Sequence, residues 1–479
     1  MSLTTKVSGR ESETLPPAGV SLYQPVRAGT LGILGAVLIA LVGLVVVFLS
    51  TAPSTDPDPS TLAATLGAPG SVAAHESGPE PLGSDELARL QRSLSTHAAA
   101  LLRRDERGWA AALDTDPAAA AYRARQRGVF RALETVPLAQ WRYTVDAGAV
   151  DPAASAASAR RFHARAVVVR VEFRYALSDV DQQAPTKTLW LTAVRRSAGW
   201  RLTADTDGAS SGRVSWRGPW DFGPLIAHRG THTLVLTHPA HAADAATFGR
   251  LVDRAVPVVR SVWGDGWQDH VAVLIPDTDA EFAAVTGDSD STADLAAVAV
   301  ADGVTAAAAV VGARIVLNPR TLARLDAAGR QLVVQHELTH VATRASTPDR
   351  APVWVVEGFA DYVGNLGSGQ RPATSAAELA AEVRRGRLPA ALPAAAEFAG
   401  GNPRLAQAYE EAWLANVFIA RRVGRAGLVR FYRAVNAAVA SDATAAVPVA
   451  LRSVLHTDLA SFTRGWRRFV RAELAGNRP

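Results

Sequence analysis

The 479-residue chain contains no cysteine. That excludes disulfides, thiol nucleophiles and thiolate-ligated metals, and it leaves histidine and carboxylate as the metal ligands worth considering. Methionine occurs once, as Met1, and lysine is scarce beside arginine. Aromatic residues make up 6% of the chain and the formal net charge is only +5, with arginines dispersed among acidic residues. No basic stripe tracks the chain, so no nucleic-acid partner is expected. What the chain has is apolar mass: 48% hydrophobic residues over this length leave room for two or three packed domains.

One apolar run is long. Leu31 to Leu49 carries no charge, and as a helix at ~1.5 Å per residue it would reach about 28 Å, close to the hydrocarbon thickness of a bilayer. Residues 28–50 are therefore expected to form a single transmembrane helix. Lys6, Arg10 and Arg27 precede it, and Asp56 and Asp58 follow it. That asymmetry predicts a cytoplasmic tail over 1–27, with the remainder of a single-pass cell-membrane protein outside. A cleaved signal peptide ending near Ala52 is the competing reading. Residues 51–84, rich in Pro, Ser and Ala, read as an extended tether.

Beyond the tether the fold class reads as α+β. Ser84 offers an N-cap, and Leu87, Leu90, Leu94, Ala98 and Leu101 recur at helical spacing. A second helical stretch from Tyr122 to Leu133 gives way to alternation, with Val167, Val169, Val171, Phe173 and Tyr175 sharing one face. Further strands fit Trp141–Val145, Thr188–Val194 and Trp200–Ala204. Helices followed by an antiparallel meander over 85–215 resemble the NTF2-like fold, an architectural likeness without a motif. From 225 to 479 a second domain is expected: strands at Thr231–Thr237, His270–Ile275 and Ala313–Leu317, a helix at Ala245–Trp263, and helices at Tyr409–Arg422 and Leu459–Leu474. Trp216, Trp220, Trp263 and Trp267 read as core and junction packing.

The stretch that carries chemistry is His336-Glu337-Leu338-Thr339-His340. Histidines four apart on a helix point the same way and can share one metal ion, while Glu337 leans over the same face, where it could take a proton from metal-bound water. Leu332, Val333, Val334, Leu338, Val341 and Ala342 make this a buried helix, and burying two histidines and a glutamate without a shared partner is costly. A hydrolytic zinc site needs three protein ligands and one open position, so a third donor must come from elsewhere.

An HExxH helix followed by Trp354-Val355-Val356-Glu357-Gly358-Phe359-Ala360 resembles the gluzincin metallopeptidases, in particular the thermolysin-like catalytic domain of M1-type aminopeptidases. The resemblance implies Zn2+ held by His336, His340 and Glu357, with Glu337 as general base and a peptide or protein as substrate. It also implies that Asp361, one turn after Glu357, hydrogen-bonds a ligand histidine. Tyr409 stands on the helix where related peptidases carry a residue that steadies the oxyanion; a core tyrosine is the alternative. Such folds bind substrate along a sheet edge just upstream of the metal helix, for which Ala313–Leu317 is the candidate. The Gly-x-Met-Glu-Asn motif of M1 aminopeptidases is missing, so aminopeptidase specificity does not transfer. His228, His232, His238 and His241 cluster within fourteen residues and read as strand-end and loop histidines before a second metal site. Two other classes stay open: a non-catalytic binding or sensor protein on a vestigial peptidase scaffold, and a structural envelope protein whose metal serves the fold.

Overall fold

The computed structural model describes residues 82–287, 295–439 and 445–475. The first part is a four-stranded antiparallel meander, β1 (Leu138–Val150), β2 (Ala166–Leu177), β3 (Thr186–Arg196) and β4 (Gly199–Ala204), in that spatial order. Helices α1 (Ser84–Leu102) and α2 (Ala120–Ala132) precede it, and α3 (Pro152–Phe162) links β1 to β2. Ser84 is the first helical residue of α1 and Gly83 the cap, with no side-chain capping bond. The Ala- and Ser-rich α3 has little apolar periodicity; what starts it is Asp151, whose side chain accepts from the Ala154 N–H at 2.9 Å, with Pro152 in the first turn.

The second part is built on a five-stranded sheet in the order β5 (Ile226–Arg229), β6 (Thr233–Thr237), β7 (Val271–Ile275), β11 (Arg314–Leu317), β8 (Ala297–Val300). β6, β7 and β11 are parallel, and the outer two strands run antiparallel to their neighbours. The long helix α4 (Ala242–Trp263) makes the crossover that parallel β6 and β7 require. Between β7 and β11 lie α5 (Asp279–Thr286), β8 and a small hairpin, β9 (Gly303–Val304) with β10 (Val310–Val311). The remainder is helical: α6 (Ala327–Thr343), α7 (Val353–Gly364), α8 (Ala377–Arg384), α9 (Leu405–Val439), α10 (Ala446–Leu455) and α11 (Leu459–Leu474). α9 is broken at Gly424, whose φ of 73° is a left-handed value that glycine adopts without a Cβ penalty.

Both faces of the second sheet are buried, which is why its strands read as apolar runs. Val235, Val273, Ile275, Ile315 and Leu317 face the helices α4, α6 and α7. Leu234, Leu236, Ala272, Leu274 and Val316 face the other way and share one hydrophobic cluster with Trp141, Phe173, Tyr175 and Trp220 of the first part. A bidentate pair, Arg314 to Asp181 at 2.7 Å on both nitrogens, ties the two parts together in a buried setting.

Two expectations change. β11 is an inner strand, flanked by β7 and β8, so it offers no free edge; the edge on that side is β8, a run of small apolar residues that carries neither polar alternation nor turn signals. The expectation of a transmembrane helix, and with it of a single-pass membrane protein with a cytoplasmic N-terminus, is corrected: among the described residues no helix is long and apolar enough to cross a membrane. The long ones, α4 and α9, carry Asp244, Arg250, Asp253, Glu410, Glu411 and Arg421 among others, and charge at that density is expelled from hydrocarbon. Leu31–Leu49, the tail before it and the tether after it lie outside the described residues. The fold stands as a mixed helix and sheet architecture.

Candidate metal centre

α6 begins at Asp326, whose side chain accepts from the Gly329 N–H at 2.8 Å. From Leu332 to Thr343 every residue of this helix is buried, so the histidines and Glu337 are carried into the core, with His340 keeping a little exposure. α7 lies against α6 through two close approaches. Gly364 sits 3.5 Å from His336 Cβ, measured from where a Cβ of its own would stand. Gln335 reaches across to the carbonyls of Val363, Gly364 and Leu366 at the end of α7. On its other side α7 meets α9 at Gly358, where a Cβ would fall 2.3 Å from the Ala412 carbonyl oxygen. Gly358 is thus small because the backbone of α9 passes there, and this contact sets the depth at which Glu357 is presented.

The three expected ligands converge. His336 Nε2 and His340 Nε2 are 2.9 Å apart, and Glu357 Oε2 lies 3.5 Å from the first and 3.7 Å from the second. Donor atoms around a tetrahedral zinc with bonds of ~2.0–2.1 Å stand about 3.3–3.4 Å from one another, and the observed separations bracket that. Asp361 Oδ1 is 2.8 Å from His336 Nδ1. With the Nδ1 proton directed to that carboxylate, His336 Nε2 presents a lone pair to His340 Nε2, which either a His340 N–H or a shared cation would take up. Glu357 Oε2 and both carboxylate oxygens of Glu337 are buried with no hydrogen-bond partner. Orphaned buried carboxylates are expensive, and here they collect around one point. The residues fit a zinc ion.

Electrostatics agree with that reading. Burial disfavours an imidazolium at His336, yet the Asp361, Glu357 and Glu337 carboxylates outweigh it and hold His336 well above its ordinary value, so the pocket is tuned for positive charge. Burial pushes Glu337 up against the pull of the two histidines. Glu357 goes the other way: burial would raise it, but His340 and His336 bring it below the usual carboxylate range. Burial raises Asp361. The edge strand β8 passes over this face, with the Ala299 N–H drawing on Glu337 without closing a hydrogen bond of good geometry. Beside His340 a small cleft is lined by Ala299, Val300, Val310, Val341, Arg344 and Val356.

Tyr409 is buried on α9 with its ring edge-on to Phe398, centroids 5.1 Å apart. A second tyrosine of that helix, Tyr432, packs on Phe359 of α7 at 4.7 Å and bonds Thr347 at 2.7 Å. Burial pushes its phenol up, and the negative charge of Glu357 adds to the shift. Sequence reasoning passed over Tyr432, which no motif marks. The four clustered histidines part company: His238 is bound to the Pro224 carbonyl and Glu281, His241 approaches Asp244 and Asp277, His228 lies against Gly249, and His232 faces Asp269.

A family model described as the eCIS core domain matches residues 272–348, from β7 to just beyond α6. That span contains His336, Glu337 and His340 and stops short of Glu357. No curated protein matches. Among solved structures the chain is similar to a two-domain M1 zinc metallopeptidase mutant bound to L-arginine, at 16% identity over 58% of each chain with a TM-score of 0.30. It is similar also to an M1 zinc metallopeptidase mutant from Deinococcus radiodurans, bound to a Tyr-Ser-Ala substrate (16%, 59% of each chain, TM-score 0.31) or without it (16%, 59%, 0.32). The chain spans a little under two thirds of those structures. A likeness of that size carries no argument, and the centre rests on its own geometry.

Proposed function

We propose that this protein is a zinc-dependent hydrolase acting on peptide bonds, with His336, His340 and Glu357 as metal ligands and Glu337 as general base. The observation that supports it most is the meeting of three buried donor atoms beside a buried carboxylate that has no partner of its own. Zinc held there would supply Lewis-acid polarisation of a carbonyl and a water acidified toward neutral pH. Glu337, raised by burial and free of hydrogen bonds, is suited to take a proton at one carboxylate oxygen and release it to a leaving amine. Asp361 holds the His336 ring in one tautomer and orientation. β8, the free edge next to Glu337, is the strand to which an extended peptide would add. Tyr409 is proposed to support the oxyanion, a role tested by Tyr409→Phe: a lowered kcat at unchanged metal content upholds it, and an unchanged rate removes it.

The deciding experiment pairs two isosteric variants. Glu337→Gln should retain zinc and fold while peptide cleavage drops by about 10²–10⁴-fold; Glu357→Gln should lose zinc affinity together with activity. Wild-type cleavage by Glu337→Gln, or zinc loss in it as complete as in Glu357→Gln, would overturn the assignment and favour a vestigial scaffold.

A further inference from the structure

A second set of ligand-type side chains meets at the N-terminal ends of β6 and β7. His232 lies in the turn between β5 and β6, and Asp269 and His270 immediately precede β7; the donor atoms of the three lie within 4.8 Å of one another. His232 Nδ1 is 3.6 Å from Asp269 Oδ2, and His270 Nδ1 is 3.3 Å from Asp269 Oδ1. The two imidazole centroids are 5.3 Å apart with their planes inclined at 55°. His232 Nδ1 is buried and has no hydrogen-bond partner. The two contacts use opposite oxygens of the Asp269 carboxylate; the first is too long for a direct hydrogen bond, the second is a long one, and both are near the ~3.3–3.4 Å between ligands that share a tetrahedral ion.

The frame around the three groups is fixed. The Val271 N–H donates to the His232 carbonyl at 3.0 Å, joining the two ligand-bearing segments. The Thr231 and His232 N–H groups both donate to the Asp253 carboxylate, at 2.9 and 2.8 Å. Arg260, one turn from the end of α4, pairs with Asp269 and so orients its carboxylate, the kind of outer contact that ligating carboxylates ordinarily have. All three ligand side chains retain some solvent exposure, which leaves room for water to complete a coordination shell.

We propose that His232, Asp269 and His270 form a second divalent transition-metal site, separate from the α6–α7 centre, which staples the β5–β6 turn to the start of β7. Two imidazoles and one carboxylate select zinc, cobalt, nickel or copper over calcium and magnesium. The inference does not depend on the function proposed for the first centre.

The test is metal stoichiometry on the full chain. Metal-stripped protein is dialysed against zinc, and in parallel against cobalt, and bound metal is counted by elemental analysis. Two equivalents are expected for wild type, one for His232→Ala/His270→Ala, one for His336→Ala/His340→Ala, and none for the four substitutions combined. Asp269→Asn preserves size should the double alanine variant fail to fold, and should weaken the second equivalent by about tenfold or more. A wild-type stoichiometry that His232→Ala/His270→Ala leaves unchanged, no metal retained by His336→Ala/His340→Ala, unchanged affinity in Asp269→Asn, or a preference for calcium at this site overturns the proposal. Failure of the first centre would look different: His336→Ala/His340→Ala would then bind as many ions as wild type.

Discussion

His238 with Glu281 and the α6–α7 cluster are both buried histidine–carboxylate groupings, and they end in opposite states. His238 Nδ1 meets the Pro224 carbonyl at 2.9 Å, its Nε2 meets Glu281 Oε1 at 2.9 Å, and Glu281 Oε2 accepts from the Asp277 N–H at 3.0 Å. These ring nitrogens and carboxylate oxygens are accounted for, and the pair stitches the end of β6 to the start of α5. In the cluster two ring nitrogens face each other and three carboxylate oxygens of Glu337 and Glu357 stand unpartnered. Burial of charged residues is therefore no mark of chemistry in this chain. What separates the structural pair from the candidate centre is the residue of unsatisfied atoms pointing at a common place.

Removing one carboxylate on each side sharpens that contrast. Glu337→Gln is expected to cost about 10²–10⁴ in cleavage rate with little effect on stability. Glu281→Ala is expected to leave the rate per folded molecule intact and to cost about 3–5 kcal/mol of stability, since it leaves His238 buried without its partner. Rates on a peptide library and urea unfolding of both variants check this. A stability loss in Glu337→Gln matching that of Glu281→Ala would erase the distinction.

Much of the candidate centre was legible in the chain because its proposed ligands come from two helices with little between them. The i, i+4 spacing of His336 and His340, and the helical turn from Glu357 to Asp361, are local facts, and the structure adds only how α6 and α7 face each other. Segments marked by their own periodicity were legible too: Leu459–Leu474 matches α11 end to end, and Ala245–Trp263 falls within α4. What was not legible depends on neighbours. Ala297–Val300 becomes a strand, and the sheet edge, through pairing with β11. Its composition is equally at home in a buried helix. His232 and His270 are 38 positions apart in sequence, and parallel pairing of β6 with β7 brings them together. Tyr432 meets Phe359 only because α9 folds back along α7.

Packing supports the comparison from another side. A methyl group at Gly358 would stand 2.3 Å from the Ala412 carbonyl oxygen and from Asn416 Nδ2, so Gly358→Ala must push α7 off α9. Overpacking of this kind costs about 1–3 kcal/mol, and it should weaken zinc binding as well because Glu357 moves with its neighbour. Wild-type zinc affinity in a destabilised Gly358→Ala protein would show that Glu357 is not positioned by this contact. Asp361→Asn, which touches one ligand from behind, should lower metal affinity by about 10–100-fold while the fold persists. Titration of the stripped proteins with zinc distinguishes the two effects.

The smallest expected effect concerns the satisfied pair and its sign with pH. Burial works against an imidazolium at His238, but the Glu281 carboxylate and the Pro224 carbonyl outweigh it, so the folded-state pKa lies above the ordinary one. A group raised in the folded state binds its proton more tightly there than in the unfolded chain. Its contribution is therefore fully present below the unfolded value of ~6.5 and is lost as pH climbs through the higher folded value. The unfolding free energy of wild type minus that of His238→Gln, followed from about pH 5 to pH 9, should fall over that upper range, by about 1.4 kcal/mol for each unit by which the folded pKa exceeds the unfolded one. A difference that stays flat, or grows with pH, would mean that His238 folds as the neutral imidazole, and that the pair opposite the metal centre is held by a neutral hydrogen bond instead of by charge.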